Sequence, residues 1–442
     1  MLASGAARRD ASASEWSIAL KGSIASPADR LPERPVVSVV MPAWNAGRSI
    51  ERALESALRD PSLAVECVVV DDGSTDDTAA VVERLGAADP RVVFLRSPAN
   101  EGVSAARNRA LRAARGEWVT LLDADDRFVR GGLAALLRPT AGGDVLAVVG
   151  QRVWSDGKRS WISAAYDRPD IRRPGRASLV DRPGLVYYAT GTGKLFHRSL
   201  VDGLSFSGRI LGDQPWPIRA LIRAGDRIEV IDDVVYAWLR PADDAASTIT
   251  ASKRASARIA AEAVRVAVGA FAEVAAEAGR IEEPSGRARV VGTYFERLLS
   301  SDFGGPVVRA VKRGDEGGDE LFDAIRAFLD AAPPELVDRS TALAEAVLRP
   351  PLDRWPQLSE PARSAFWRLL STTIRAHPSL VPRISRASLL RLGLEVARRS
   401  DSATARRLAS ACFTLNWPLG LIHRWRRRGR LANRPVPAPD LS

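Results

Sequence analysis

Cysteine, methionine and histidine are scarce in this 442-residue chain, which contains two, two and three of them. With only Cys67 and Cys412, far apart, the sequence has neither a disulfide framework nor the ligand spacing of a cysteine metal site. No apolar run approaches the roughly 20 residues that span a bilayer, and the first residues include Arg8, Arg9 and Asp10 without the apolar segment of a signal peptide. We therefore expect a cytoplasmic protein that is soluble or peripheral to the inner face of the cell membrane.

Neither positive nor negative residues are in excess over most of the chain. Residues 371–442 hold 14 basic and three acidic residues, which accounts for the whole net charge of +11. The densest basic part, residues 423–430, follows the apolar residues Trp417, Leu421 and Ile422. This basic tail is typical of a peripheral contact with an anionic membrane, and a solvated surface or nucleic-acid phosphates are the alternatives. Nucleic acid is disfavoured because the remainder is balanced in charge and carries no recognised nucleic-acid motif.

Apolar runs and helical patterns divide the chain into three parts. Residues 1–34 lack periodicity and are rich in Ala, Ser, Arg and Pro, which predicts a flexible leader. Four β-branched or apolar runs begin near residues 36, 65, 91 and 118, and a helical pattern separates each from the next. This alternation predicts an α/β domain over residues 35–245 with a doubly wound, mostly parallel sheet. Helical spacing of Ala, Leu, Arg and Glu predicts an α-helical C-terminal region over residues 250–442, of one or two subdomains, which ends in the basic tail.

Acidic residues gather where the predicted strands end. Asp123, Asp125 and Asp126 directly follow the fourth apolar run, and Asp71 and Asp72 follow the second. Because the carboxyl ends of parallel strands meet at one edge of a sheet, these residues are expected to surround one crevice. Like charges so close repel one another unless a cation offsets them, so the first cluster indicates a hard divalent ion. A nucleotide diphosphate is the ligand that suits such a crevice.

Four blocks at this edge resemble the family 2 glycosyltransferases. They are residues 37–45 (VSVVMPAWN), residues 70–76 (VDDGSTD), residues 100–108 (NEGVSAARN) and residues 122–126 (LDADD). The resemblance covers about residues 36–130 and continues more weakly to about residue 240. It implies a GT-A fold with a nucleotide-binding half and an acceptor half, a nucleotide-sugar donor for which we expect a UDP-sugar, a divalent Mn or Mg ion, and transfer with inversion.

The resemblance also implies roles for individual residues. The donor-binding residues carried over from the family are Pro42, Trp44, Asp72, Arg107 and Asp123. Pro42 and Asp72 are expected against the nucleobase, Asp123 against the ribose, and Arg107 near the nucleotide. Trp44 stands where the family usually has tyrosine, which leaves stacking on the base open and weakens the expectation of a specific polar contact. Asp125 of the DXD motif is expected to bind the metal.

A catalytic base is implied on the acceptor side. The family has a Glu-Asp pair there, and this chain has Gly212 followed by Asp213. We expect Asp213 to deprotonate the attacking hydroxyl, since a carboxylate near the acceptor oxygen suffices. The alternative is that Asp213, followed by Gln, Pro and Trp, only caps a helix.

Several other residues keep two interpretations. Asp76 either begins a helix as a cap or contacts a ligand. Asp126 either supports the metal or caps the next helix. Lys194 belongs either to a solvated surface or to the acceptor site, and Trp154 and Trp161 either pack in the core or stack on a sugar acceptor.

These observations predict a metal-dependent glycosyltransferase that acts on a hydroxyl of a glycan, lipid-linked or polyol acceptor. Cell-envelope glycan or polysaccharide biosynthesis is the expected process, and an oligomer is compatible with the helical region. The alternatives are a catalytically impaired protein that binds nucleotide sugars or other partners, and a nucleotidyltransferase on a similar fold. Against the latter, residues 42–47 are not the glycine-rich phosphate loop with which such enzymes open.

Overall fold

The structure is a computed structural model. It describes residues 35–156, 159–163, 166–208, 214–239, 256–313, 317–384 and 434–436. The predicted leader, Asp213 and residues 385–433 and 437–442 of the basic tail lie outside these residues, and the limits predicted for the domains stay predictions.

Four parallel strands form the centre of the sheet, in the order β3-β2-β1-β4. The strands are β1 (Val37–Ala43), β2 (Val65–Asp71), β3 (Val92–Arg96) and β4 (Trp118–Leu121), and the helices between them are α1 (Ile50–Leu58), α2 (Thr78–Ala88) and α3 (Val103–Ala113). Strands β1, β2 and β4 are buried along their whole length. This burial explains why they read as continuous apolar runs, and the four predicted alternations of strand and helix are confirmed.

The sheet becomes mixed beyond β4. Its other described strands are β5 (Arg127–Phe128), β6 (Ala147–Ser155), β7 (Ser160–Ile162), β8 (Gly175–Ala177), β9 (Lys194–His197), β10 (Ile228–Leu239) and β11 (Arg434–Val436). Strand β9 lies antiparallel between β4 and β6, and β6 pairs in parallel with β10. Strand β11 pairs with β7, so the predicted helical C-terminal region also adds a short strand to the sheet.

Short helices connect these strands. They are α4 (Gly132–Leu137), α5 (Pro169–Arg172), α6 (Arg198–Val201) and α7 (Pro215–Ala224), with 3₁₀ turns at Arg138–Gly142 and Pro183–Tyr187. Helix α7 starts with two prolines within its first three residues, where the missing N–H groups cost no intrahelical hydrogen bond.

The rest of the described chain is mainly helical. Its α-helices are Ala257–Glu277, Pro284–Arg297, Gly304–Arg313, Gly318–Ala331, Pro334–Arg339, Arg349–Asp353 and Glu360–Ala376. Two π-helical segments, Leu298–Phe303 and Leu343–Leu348, and 3₁₀ turns at Ala278–Arg280, Trp355–Gln357 and Pro378–Arg383 interrupt or connect them. No described helix is both long enough and apolar enough to cross a membrane.

The two faces of the sheet are covered differently. Side chains of one face, such as Val39 and Cys67, pack with α1 and α4. Side chains of the other face, such as Val40 and Val68, belong to an apolar core that continues through α3 and α7 into the helices after residue 256. The helical region therefore shares one apolar core with this face of the sheet.

Candidate functional site

The loop after β1 presents a proline and an exposed tryptophan at the edge of the sheet. Pro42 is buried within β1 opposite Val70 of β2, whereas Trp44 is 49% exposed. Asn45 adopts a positive φ of 50°, and its side-chain oxygen accepts a hydrogen bond from the Thr75 N–H at 2.9 Å. The loop is therefore tied to the turn after β2, and the Trp44 ring is left facing solvent.

Two buried aspartates at the end of β2 organise the next turn. Asp71 accepts a hydrogen bond from the Ser74 N–H at 3.0 Å. Asp72 is 3% exposed, and its two carboxylate oxygens accept from the N–H groups of Glu101 at 3.0 Å and Gly102 at 2.8 Å. Gly73 has a φ of +70°, and a Cβ there would lie 2.6 Å from the main chain of Ala99. Asp72 therefore fixes the loop that leads into α3, a contact the sequence did not predict.

Asp123 follows β4 and forms an ion pair with Arg107 of α3. The Arg107 guanidinium donates to the Asp123 carboxylate at 2.7 Å, and the guanidinium carbon lies 5.4 Å from the centre of the Phe206 ring. The Arg107 side chain is 7% exposed and that of Asp123 is 35% exposed. Arg107 was predicted to lie near the nucleotide. In this structure it holds the Asp123 carboxylate at the mouth of the crevice.

Asp126 is buried and is held by β10. One of its oxygens accepts from the Tyr236 hydroxyl at 2.7 Å and the other from the Leu239 N–H at 2.9 Å. The Tyr236 hydroxyl also accepts from the Asp123 N–H at 3.2 Å. Asp126 thus braces the acidic loop; it does not cap α4, whose N-cap is Gly131. Burial, with repulsion from Asp125 and Asp123, raises the pKa of Asp126 well above its usual value, which favours the protonated form.

The donor groups at the end of β4 decide whether a divalent cation fits. Asp125 is exposed beside the partly exposed Asp123. Among the described residues, no group of three or more His, Cys, Asp or Glu side chains is arranged to hold a metal. Two carboxylates match an ion that completes its coordination with water and phosphate oxygens of a substrate. The residues present fit a site that the substrate completes and do not form a closed structural site.

A buried polar network holds the residue that follows the predicted base in the sequence. Asp213 itself is outside the described residues, so its roles as base and as cap stay predictions. The next residue, Gln214, donates to Asp302 at 3.0 Å and accepts from Arg297 at 2.9 Å. Arg297 also forms an ion pair with Asp302 at 3.0 Å, and these two side chains are 8% and 12% exposed. Residues of the helical region therefore hold the start of α7, which no sequence motif indicated.

Burial and contacts bear on three of the remaining interpretations, those of Asp76, Lys194 and Trp154. Asp76 accepts hydrogen bonds from the Thr78 N–H and the Gly47 N–H, each at 3.0 Å, so it stabilises the start of α2. Lys194 is fully buried, so the expectation of a solvated surface was wrong. Trp154 stacks on Trp238 with ring centres 3.5 Å apart.

A family model places these residues in context. The model described as Glycosyl transferase family 2 matches residues 38–204, which include Asp72, Arg107, Asp123 and Asp125. The resemblance that the four blocks carry is thereby confirmed, and residues 38–204 form a family 2 glycosyltransferase domain.

Curated relatives match the chain over short segments. The chain is 42% identical over 115 residues to the succinoglycan biosynthesis protein ExoO of Rhizobium meliloti (strain 1021), which covers 26% of this chain and 32% of the relative. It is 42% identical over 92 residues to a chondroitin synthase of Escherichia coli, which covers 21% of this chain and 13% of the relative. The chain spans about a third or less of the length of these two relatives.

Solved structures share the fold over a longer stretch. The structure of S. aureus TarS 1-349 in complex with UDP-GlcNAc superposes with a TM-score of 0.57 at 20% identity, over 77% of this chain and 92% of that chain. The same protein without that ligand gives a TM-score of 0.55 at 19% identity. These likenesses confirm the predicted fold class: a GT-A domain in a mixed α/β sheet, followed by a helical region.

Proposed function

We propose that this protein is a metal-dependent glycosyltransferase that transfers a sugar from a nucleotide sugar to a hydroxyl acceptor with inversion. The observation that carries the proposal is the convergence of Asp72, Asp123 and Asp125 at one edge of the sheet. Strands β2 and β4 flank β1 in parallel, so the loops after all three strands emerge together. Such an edge is where open α/β sheets bind nucleotides.

Each proposed donor contact has a matching side chain. The buried Pro42 and the exposed ring of Trp44 offer an apolar surface for the nucleobase. Asp72 uses each oxygen once within the protein, and a carboxylate oxygen has a second lone pair that accepts a base N–H. Asp123, held by Arg107, accepts from a ribose hydroxyl. A UDP-sugar is the proposed donor.

The proposed metal ligand is Asp125. A bound Mn or Mg ion supplies positive charge that neutralises the diphosphate as it leaves. Two features make the β4 end suited to this role. Asp125 is exposed, and Asp126 is buried and held by Tyr236, so the loop that carries Asp125 is braced from behind.

The proposed chemistry is a single displacement at the anomeric carbon. The acceptor oxygen attacks that carbon, Asp213 takes the hydroxyl proton, and the bond to the diphosphate oxygen breaks, which releases the nucleoside diphosphate and inverts the configuration. The network of Gln214, Arg297 and Asp302 supports this role, because it fixes the residue that follows Asp213.

The proposed process is cell-envelope polysaccharide biosynthesis, with a glycan, lipid-linked or polyol acceptor. Support comes from the relatives, whose names include a succinoglycan biosynthesis protein and a chondroitin synthase. The proposed peripheral membrane contact of the basic tail rests on its 14 basic residues and adjoining apolar side chains alone.

A donor panel tests the proposal. Purified full-length protein is incubated with UDP-, GDP- and dTDP-sugars with and without Mn, and release of the nucleoside diphosphate is measured. We expect one UDP-sugar to be turned over only with Mn, and Asp125→Asn to lose most of this turnover. Turnover that is independent of metal, or unchanged in Asp125→Asn, would show that the metal assignment is wrong.

One observation favours a second candidate function. Gly212 replaces the glutamate that precedes the base in the family, which fits a protein that binds nucleotide sugars with little transfer. In that case the donor panel gives metal-dependent binding without turnover. Turnover that Asp213→Asn abolishes, with donor binding retained, would exclude this candidate.

A further inference from the structure

A buried arginine beside the donor edge has donor groups without partners. Arg152 of β6 is 5% exposed, and no carboxylate among the described residues forms an ion pair with it. Its Nη1 donates to the hydroxyls of Thr190 at 3.0 Å and Thr192 at 3.3 Å. Its Nε and Nη2 are buried and have no hydrogen-bond partner. A buried donor without a partner is costly, so such a group indicates a site that a ligand completes.

Aromatic rings surround this guanidinium. Its carbon lies 4.5 Å from the centre of the Tyr166 ring, 4.8 Å from Trp238 and 5.3 Å from Tyr188. These ring faces stabilise the cation without using its hydrogen-bond donors. The buried Tyr188 hydroxyl also lacks a hydrogen-bond partner. Lys194 adds a second buried positive charge, since its Nζ lies 3.2 Å from the centre of the Tyr188 ring and donates to the Thr190 carbonyl.

The aromatic cage, formed by the Tyr166, Tyr188 and Trp238 rings around Arg152, lies next to the proposed donor site. Thr192 forms a β-bridge with Leu121, two residues before Asp123. Arg152 is paired in register with Tyr236, whose hydroxyl contacts the Asp123 N–H. Of the cage residues, Tyr166 and Trp238 are only partly buried, so they form the rim.

We propose that Arg152, with Thr190, Thr192 and Tyr188, forms a subsite for a carboxylate or phosphate group carried by one of the two sugars that react. The Nε and Nη2 edge of a guanidinium binds such a group through two parallel hydrogen bonds. The anionic group belongs either to the transferred sugar or to the acceptor. This inference rests on the proposed function only in naming the sugars, and it adds that one substrate is acidic.

Matched pairs of ligands test the subsite in the full chain. In the donor arm, calorimetry compares UDP-glucuronate with UDP-glucose in the presence of Mn, since the two differ in their carboxylate. In the acceptor arm, glucuronate and glucose 6-phosphate are compared with glucose, both with UDP and Mn bound and without them. In one arm we expect the acidic ligand to bind at least about tenfold more tightly than its neutral partner. A tenfold difference corresponds to one good charge-assisted hydrogen bond.

Variants separate recognition from a structural role. Arg152→Met removes the cation, Arg152→Lys keeps the charge without the fork, and Arg159→Met removes an arginine that is 85% exposed. We expect the preference for the acidic ligand to vanish in Arg152→Met and to shrink in Arg152→Lys, with UDP affinity unchanged. Arg159→Met keeps the preference. Should Arg152→Met fail to fold, the comparison of Arg152→Lys with wild type still decides.

Two results would overturn the subsite: equal affinities for acidic and neutral ligands in both arms, or a preference that survives in both Arg152 variants. A failure of the proposed function has a different signature, which is the absence of metal-dependent UDP binding. In that event the comparison without UDP still decides whether Arg152 binds an anion.

Discussion

The two sides of the proposed cleft hold their polar residues in different ways. On the donor side, Asp72 is held by main-chain N–H groups at the start of α3, and Asp123 by one arginine of the same helix. On the acceptor side, Gln214 is held by Arg297 and Asp302, which are more than 80 residues away. The donor side is therefore built mostly within about 90 residues of chain, with Tyr236 of β10 as its distant support, whereas the acceptor side depends on the helical region.

This difference suggests what each side requires for its geometry. The donor side needs the register of β1, β2 and β4, which the apolar core specifies. The acceptor side needs buried hydrogen bonds and ion pairs between the helical region and α7, with the residue before it; we call this contact the seam. Loss of one charged partner there leaves the other as an uncompensated buried charge. Variants on the acceptor side should therefore reduce transfer without changing donor affinity.

The largest expected effect comes from Asp213→Asn. Loss of a general base lowers the rate by about 10² to 10⁴, and the donor side should keep its affinity for UDP. The matched control is Asp202→Asn, because Asp202 is an exposed acid. Transfer rates and UDP affinities of the three proteins are the measurement. A rate for Asp213→Asn equal to that of the control would remove Asp213 from the mechanism.

Asp302→Ala should be nearly as damaging, because it lowers the free energy of unfolding. It leaves Arg297 buried without its carboxylate and Gln214 without an acceptor, so we expect a loss of about 3–5 kcal/mol in the free energy of unfolding. The control is Asp330→Ala, whose exposed ion pair with Arg326 is worth about 0–1 kcal/mol. Denaturant unfolding measures both. Equal losses in the two variants would mean that the seam is not held as described.

A smaller effect, dependent on pH, is expected at Glu277 in the same seam. Burial by itself raises the pKa of Glu277, but hydrogen bonds from Arg223, Arg280 and Arg219 outweigh it and leave the pKa below its usual 4.5. A pKa that is lower in the folded than in the unfolded state stabilises the protein at pH values above the unfolded-state pKa. This stabilisation is lost as the pH falls through the folded-state pKa.

Glu277→Gln should therefore cost about 2 kcal/mol at neutral pH, and the difference from wild type should shrink below about pH 4.5. Thermal unfolding of both proteins from pH 7 to pH 3.5 is the measurement. A difference that stays constant over this range would show that the Glu277 charge does not hold the seam.

The smallest effect on folding is expected at Trp44. The ring is 49% exposed, so Trp44→Ala should change the free energy of unfolding by less than about 0.5 kcal/mol. If the ring stacks on the nucleobase, UDP affinity falls by about fivefold or more, since stacking is worth about 1 kcal/mol or more. A fall in stability without a change in affinity would assign Trp44 to packing.

The same contrast explains what the sequence made predictable. The four central strands and the acids after them could be predicted because burial and turn chemistry leave local patterns. Asp126 illustrates the limit: its partner Tyr236 lies 110 residues away, and no local pattern links them. A solvated surface was one of the two interpretations of Lys194 because lysine is rarely buried. No sequence pattern indicated that its Nζ lies over the Tyr188 ring.

The most direct test of the central claim is calorimetric titration of the full chain with UDP, with and without Mn. The account predicts UDP binding that requires Mn in the wild-type protein, and Asp125→Asn should weaken it by about tenfold or more. Glu83→Gln, which removes an exposed acid of α2, should bind like wild type. Equal affinity with and without Mn, or unchanged affinity in Asp125→Asn, would contradict the assignment of the acidic cluster as the donor site.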